Sequence, residues 1–257
     1  MKTKSLGFIG GGRITRIFLQ AFTNKKHEFE SVVVFDTNAE VLQALKQQFP
    51  FIQTGDLQQA GSQPSVFLAL HPPVMMETLD KIADTVPTDA LVISLAPKIT
   101  IGQIASKLKT PNILRMIPNA TSYINEGYNP VTFATGFSPA EKSELLDLLR
   151  LLGTTFEVAE AKLEAYAILS AMLPTYFWFQ WNELTQLGEP MGLTSEETKA
   201  AVRQSLQAAL DIYFDHGLLP EQVTDLIPVK PIGEHEAEIN HILNTKLMGL
   251  FEKIKNK

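Results

Sequence analysis

One stretch constrains this chain more than any other: Ser5-Leu6-Gly7-Phe8-Ile9-Gly10-Gly11-Gly12-Arg13-Ile14-Thr15. A short apolar run ends in three glycines, and apolar residues then recur at helical spacing, at Ile14, Ile17, Phe18 and Phe22. The pattern predicts a strand, a tight turn and a helix in immediate succession. Such a junction leaves the first N–H groups of the helix free at the positive end of its dipole, and so forms a seat for a phosphate. In the G-x-G-x-x-[small] spacing, Gly10 makes the turn and Gly12 lets a pyrophosphate approach the backbone. Thr15 stands at the third, small position.

A glycine pattern alone is weak, and its context decides. The next apolar run, Ser31-Val32-Val33-Val34-Phe35, ends in Asp36, about 24 residues beyond Gly12. That is close to the spacing of the acid that hydrogen-bonds the adenosine ribose in dinucleotide-binding folds. A carboxylate there repels a ribose 2′-phosphate, by about 4 kcal/mol per charge pair at 4 Å and an effective dielectric near 20. Thr37, Asn38, Ala39 and Glu40 bring no cation to offset it. NAD is therefore expected ahead of NADP.

Strand-like and helical patterns alternate to about residue 158: strands at 51–52, 65–70, 90–95, 112–117 and 154–158, helices at 39–48, 74–85 and 138–152. The alternation predicts an α/β fold, a Rossmann-type doubly wound parallel sheet. Four loops then leave the carboxyl ends of strands: Gly10–Gly12, His71–Pro73, Ala96–Lys98 and Pro118–Thr121. Ligands of open α/β sheets bind along that edge.

Beyond residue 158 the strand patterns stop. Residues 162–188 read as a helix apolar on nearly every face, with Pro174 expected to kink or split it. Further helices are expected over 195–216 and 234–255. The division is thus a dinucleotide-binding domain, 1–158, and an all-helical C-terminal dimerisation and substrate domain, 159–257. A helix apolar all round must be buried all round, and about 100 residues of helix cannot hide that surface alone, so a homodimer or higher homo-oligomer is expected.

Composition narrows the partners. The 257 residues carry a net charge of −6 and no cysteine. Disulfides, thiolate catalysis and cysteine metal sites are excluded, and nucleic acid is not an expected partner. No run of 18 apolar residues occurs, and the opening Met1-Lys2-Thr3-Lys4 leads straight into a strand. The expectation is a cytoplasmic protein with a small-molecule substrate, no membrane partner and no metal.

Several segments together resemble the pyrroline-5-carboxylate reductase family over nearly the whole length. Gly7-Phe8-Ile9-Gly10-Gly11-Gly12 is similar to its G-F-I-G-x-G. Val66-Phe67-Leu68-Ala69-Leu70-His71-Pro72 resembles a strand ending in Val-Lys-Pro, with His71 where lysine is usual. Leu91-Val92-Ile93-Ser94-Leu95-Ala96 and Arg115-Met116-Ile117-Pro118-Asn119-Ala120 resemble its Leu-Ile-Ser-Ile-Ala-Ala and Arg-x-Met-Pro-Asn-Thr. The resemblance implies NAD(P)H-dependent reduction of a carbon–nitrogen double bond, a role in proline biosynthesis and an intertwined helical dimer. It also implies cofactor roles for Gly10, Gly12, Arg13, Ile14, Asp36, Ala69, His71, Pro72, Pro118 and Asn119, with Asn119 beside the nicotinamide.

The helical half departs from that family. Its Leu-Ser-Gly-Ser-Gly-Pro-Ala-Tyr reads Leu169-Ser170-Ala171-Met172-Leu173-Pro174-Thr175-Tyr176, so both glycines are replaced. Its Ser-Pro-Gly-Gly-Thr-Thr substrate loop falls near Ile227–Gly233, where no paired glycines or threonines stand. Asn119, His71 and Thr175 are the candidate catalytic residues, and Thr175, Tyr176 and Lys230 the candidate substrate contacts. His71 could orient the cofactor or donate a proton, or could simply bond backbone at a strand end. Lys98 and Lys230 could pair with a substrate carboxylate or stay solvated. Glu234-His235-Glu236 reads as a solvated helix start before it reads as an acid–base group. Two rival functions stay open: a dinucleotide-binding regulator or sensor whose substrate pocket has decayed, and a reductase of other, deazaflavin-type chemistry.

Overall fold

The computed structural model of the chain describes residues 2–255. The N-terminal junction forms β1 (Ser5–Ile9) and α1 (Arg13–Asn24) around Gly10-Gly11-Gly12. Next come β2 (Ser31–Phe35), α2 (Ala39–Gln48), β3 (Gln53–Thr54), α3 (Leu57–Gly61), β4 (Ser65–Leu68), α4 (Pro72–Ile82) and β5 (Leu91–Ser94). Then follow α5 (Ile101–Ala105), β6 (Ile113–Met116), β7 (Gly127–Phe133), α6 (Pro139–Arg150) and β8 (Gly153–Glu157). The strands form one sheet in the order β3-β2-β1-β4-β5-β6-β7-β8, parallel throughout except where β7 runs against β6. Strand order reverses between β1 and β4. This is the Rossmann-type, doubly wound arrangement, and the reversal opens a crevice at the carboxyl ends of those strands.

The apolar runs follow from burial on both faces. Leu6, Phe8, Val32, Val34, Phe67, Leu91 and Ile93 face one layer with Phe18, Phe22, Leu45 and Leu148 of α1, α2 and α6. The alternate residues Ile9, Val33, Val66, Leu68 and Val92 face Met75, Leu79, Ile82 and Ile104 of α4 and α5. Phe8 stacks on Phe67 at 4.6 Å, and Phe18 meets Phe67 edge-on at 6.0 Å, which ties α1 to the middle of the sheet.

Some local expectations shift. The strand expected at Phe51-Ile52 lies at Gln53–Thr54, because Phe49 and Ile52 turn into the core around a tight bend closed by the Ile52 N–H on the Phe49 carbonyl. Strand β7 was not expected at all. Pro130 and Asn129 break its apolar pattern, yet both are buried between β6 and β8.

From Glu160 the chain is helical. A 3₁₀ turn (Glu160–Lys162) leads into α7 (Leu163–Tyr166), a π turn (Ala167–Ala171) and α8 (Pro174–Gln186). Pro174, lacking an N–H, starts α8 after a break rather than continuing one helix. There follow α9 (Ser195–Asp215), α10 (Pro220–Asp225), a 3₁₀ turn (Gly233–His235) and α11 (Glu236–Ile254). The fold separates into two compact units, one reaching from the N-terminus to Ala171 and including the residues from Phe251 on, the other Met172–Leu250. In the second unit α9 packs on α8, but no residue of α8 is buried. Trp178 is 47% exposed and Phe179 67%, so burial on all sides, expected from the sequence, is not met within one chain.

Candidate functional site

The glycine loop is built by close backbone approach. Gly10 has φ +106°, and a Cβ there would stand 2.3 Å from the Ala69 carbonyl oxygen. Its N–H donates to the Phe35 carbonyl at 2.8 Å, and the Ala69 N–H donates to the Ile9 carbonyl at 2.9 Å. The carboxyl ends of β1, β2 and β4 are thereby stitched together at the Ile9–Gly10 step. The Thr15 hydroxyl donates to the Gly10 carbonyl at 2.6 Å and is fully buried, so the third small position acts as a brace for the turn.

Gly12 differs from Gly10. It caps α1 with extended backbone, and a Cβ added to it would meet nothing within 4 Å. No side chain caps the helix, and the N–H groups of Arg13 and Ile14 have no acceptor among the described residues. Open space over a glycine and unfilled helix donors fit a pyrophosphate.

Asp36 lies beside this loop. Its Oδ2 accepts from the Gly11 N–H at 2.7 Å and its Oδ1 from the Asn38 N–H at 2.8 Å. Each oxygen keeps a lone pair for a ribose hydroxyl. Asn38 in turn caps α2, accepting from the Glu40 N–H at 2.9 Å.

The later loops share the carboxyl edge. Ala69 packs against the loop at Gly10, and His71 is the exposed N-cap of α4, where Pro72 begins the helix. The His71 ring makes no hydrogen bond with a described residue, so the strand-end backbone bond is not formed. Pro118 is half-buried, and Asn119 is 4% exposed. The Asn119 Oδ1 accepts from the Thr121 N–H at 3.0 Å and its hydroxyl at 2.8 Å, while Nδ2 has no partner among the described residues.

The structure adds residues that the sequence reading passed over. Asn129 of β7, fully buried, accepts from the Asn119 N–H at 3.2 Å and from the Ser122 hydroxyl at 3.4 Å, pinning the Pro118-Asn119 loop. Its signal was an amide inside an otherwise apolar strand. Arg115, 1% exposed, donates to Glu160 at 2.9 Å and to Glu164 at 2.6 Å. The same carboxylates accept the N–H groups of Ile101, at 2.8 Å, and Lys98, at 3.2 Å. This charged knot fastens the loop after β5 to α7 and holds Lys98 at φ +71°.

The remaining candidates belong to the helical unit. Thr175 is exposed and its hydroxyl donates to the Met172 carbonyl at 2.7 Å; Tyr176 is half-buried, and burial pushes its phenol pKa up. Lys230 is exposed on the segment before the last 3₁₀ turn. Glu234-His235-Glu236 is also exposed, with the His235 ring 3.6 Å from Glu234. Among the described residues no group of acids and histidines is arranged to hold a metal, and no helix is long and apolar enough to cross a membrane.

A family model described as NADP oxidoreductase, coenzyme F420-dependent, matches residues 5–98, the span from β1 to the loop after β5. The longer comparisons extend beyond it. The pyrroline-5-carboxylate reductase of Corynebacterium melassecola is 23% identical over 252 residues, covering 96% of this chain and 93% of that protein. That of Escherichia coli K12 is 22% identical over 227 residues, covering 87% and 84%. A Plasmodium falciparum pyrroline carboxylate reductase solved with NADP bound superposes with a TM-score of 0.78 at 18% identity, over 99% of this chain and 96% of that one. The likeness is to the pyrroline-5-carboxylate reductases. A Coxiella burnetii pyrroline-5-carboxylate reductase superposes with a TM-score of 0.70 at 24% identity, over 98% and 94%. The shared course takes in both the sheet and the helices, so the fold expected from the sequence is the fold of these reductases.

Proposed function

We propose that the chain is an NAD(P)H-dependent oxidoreductase that reduces the C=N bond of a small, carboxylate-bearing substrate, as its relatives' names describe. One observation carries the reading: an open glycine cradle, a ribose-type acid and a buried asparagine with free donors share one sheet edge in a chain that resembles these reductases end to end. Over the turn that Gly10 makes, Gly12 and the Arg13 and Ile14 N–H groups would hold the pyrophosphate, and Asp36 the adenosine ribose. Ala69, His71, Pro72, Pro118 and Asn119 would flank the nicotinamide, the Asn119 Nδ2 donating to its amide or to the substrate. When bound, the reduced nicotinamide supplies the hydride.

The protein's task is then to position and desolvate. A protonated imine is already electrophilic, which agrees with a site where, among the described residues, no acid–base pair stands at hydrogen-bond distance. Asn129 and the Arg115–Glu160–Glu164 knot keep the two flanking loops in place. The helical half, 159–257, is the dimerisation and substrate domain, with Thr175, Tyr176 and Lys230 as its contacts to the substrate. The uncovered aromatic face of α8 supports a homodimer. Residues 227–233 lack the paired glycines and threonines of the substrate loop in the resembling family, so the proposal names the acceptor only as a small carboxylate-bearing imine and not as pyrroline-5-carboxylate itself. The family model that names coenzyme F420 matches residues 5–98, within the nucleotide-binding half.

The test follows nicotinamide absorbance with NADH or NADPH and a panel of cyclic imines, pyrroline-5-carboxylate included. Turnover of any member supports the proposal. Tight dinucleotide binding without turnover on the whole panel replaces it with the regulator reading.

A further inference from the structure

The helix that opens the cofactor site carries two arginines where helices ordinarily carry acids. Arg13 and Arg16 occupy the first turn of α1, which has no acidic residue. Both are exposed, and neither makes an ion pair or hydrogen bond with a described residue. Positive charge at a helix N-terminus opposes the dipole, so the pair is unfavourable there until an anion joins it.

The two side chains line a groove of about 280 Å³ between α1 and α2. Val41 and Leu45 of α2 form the facing wall, Gly12 lies at the loop end, and no acidic residue lines it. The opposite end is closed where Gln48 donates to Gln20 at 3.4 Å. Gly11 alone separates this groove from Asp36. A Cβ on Gly11 would lie 3.1 Å from Leu45, 3.2 Å from Val41 and 3.3 Å from the Asp36 Cβ. A substituent on a ribose hydroxyl that Asp36 would hold would have to cross Gly11 to reach the two guanidiniums.

We propose that Arg13 and Arg16 seat the 2′-phosphate of NADP(H), a reading that rests on the dinucleotide site above and deepens it. The residues after Asp36, Thr37 to Glu40, bring no cation to a 2′-phosphate. The cations stand instead on α1, across the loop. Two guanidiniums line the groove and one carboxylate stands beyond Gly11, and both oxygens of that carboxylate already accept backbone N–H groups. The balance of charge over the groove is positive, and guanidinium forks suit phosphate oxygens.

The experiment measures NADPH and NADH affinity by calorimetry on the full chain, together with 2′-AMP and 5′-AMP. The wild type should bind NADPH and 2′-AMP more tightly than their counterparts. Arg16→Gln should weaken NADPH and 2′-AMP by tenfold or more and change NADH less than about twofold, with Arg16→Lys keeping part of the affinity. An equal loss for NADPH and NADH would assign the arginines to the pyrophosphate and overturn the proposal, as would no loss for either. A wild-type chain that binds neither dinucleotide overturns the underlying site as well. Arg16 is exposed, so an unchanged melting curve confirms that each loss is a binding effect.

Discussion

Substituting Gly12 and Gly10 separately distinguishes a glycine kept for a ligand from one kept for the fold. Gly12→Ala meets no protein atom within 4 Å and keeps an allowed φ of −72°. Its stability cost is that of a poorer N-cap, about 0.5–1 kcal/mol, or a few degrees of melting temperature. The methyl group instead fills the space over the free helix N–H groups. Pushing a pyrophosphate off one such donor loses a charge-assisted hydrogen bond of about 1.5–3 kcal/mol, roughly a ten- to hundredfold weaker dinucleotide. Gly10→Ala forces an alanine to φ +106° and drives its Cβ to 2.3 Å from the Ala69 carbonyl. Left-handed strain of about 1–2 kcal/mol plus separation of β1 from β4 should exceed roughly 3 kcal/mol, on the order of 10 °C. Thermal melts and calorimetric titration with both dinucleotides read the two effects apart. Wild-type affinity in Gly12→Ala would refute the pyrophosphate seat, and a wild-type melt in Gly10→Ala would refute the argument from close approach.

Arg115→Met leaves the Glu160 and Glu164 carboxylates without their buried cation and should cost about 3–5 kcal/mol in urea unfolding, whereas a loss under about 1 kcal/mol would show the knot to be dispensable. His27, packed 4.7 Å from Phe29, has its pKa lowered by burial, so its proton NMR titration should have a midpoint below the ordinary 6.5. Because the folded state favours the neutral ring, the stability it brings is complete above the unfolded pKa and is lost as pH falls through the lower folded one. If the proposed homodimer forms through α8, Phe179→Glu, at a 67% exposed site, should lower the sedimentation coefficient without loss of helical circular dichroism; a monomeric wild type would refute the dimer, and an unmoved coefficient would refute α8 as its interface.

The nucleotide-binding half was legible because each of its signals is local. Gly10, Gly12 and Thr15 are set by one turn, and the unbroken apolar runs of β1, β2, β4 and β5 follow from burial on both faces of a parallel sheet. The helix expected over 138–152 forms as α6, its start fixed by a capping box in which the Glu141 N–H donates to the Ser138 hydroxyl at 3.3 Å. Strand β7 escaped because Asn129 and Pro130 are justified only by the loop and the strands that surround them. The Arg115 knot escaped for a related reason: its partners lie 45 and 49 residues away in the chain.

The sequence by itself determined the strand–glycine–helix junction, the alternation that winds the sheet, and the change to helices near residue 160, because backbone conformation and apolar periodicity are properties of neighbouring residues. Only the tertiary structure decided what stands across from what. It put Arg13 and Arg16 over a groove next to Asp36, Asn129 under Asn119, and two glutamates around Arg115. Charges and hydrogen bonds act over a few ångströms of space irrespective of distance along the chain, so their partners exist only once the sheet has brought those segments together.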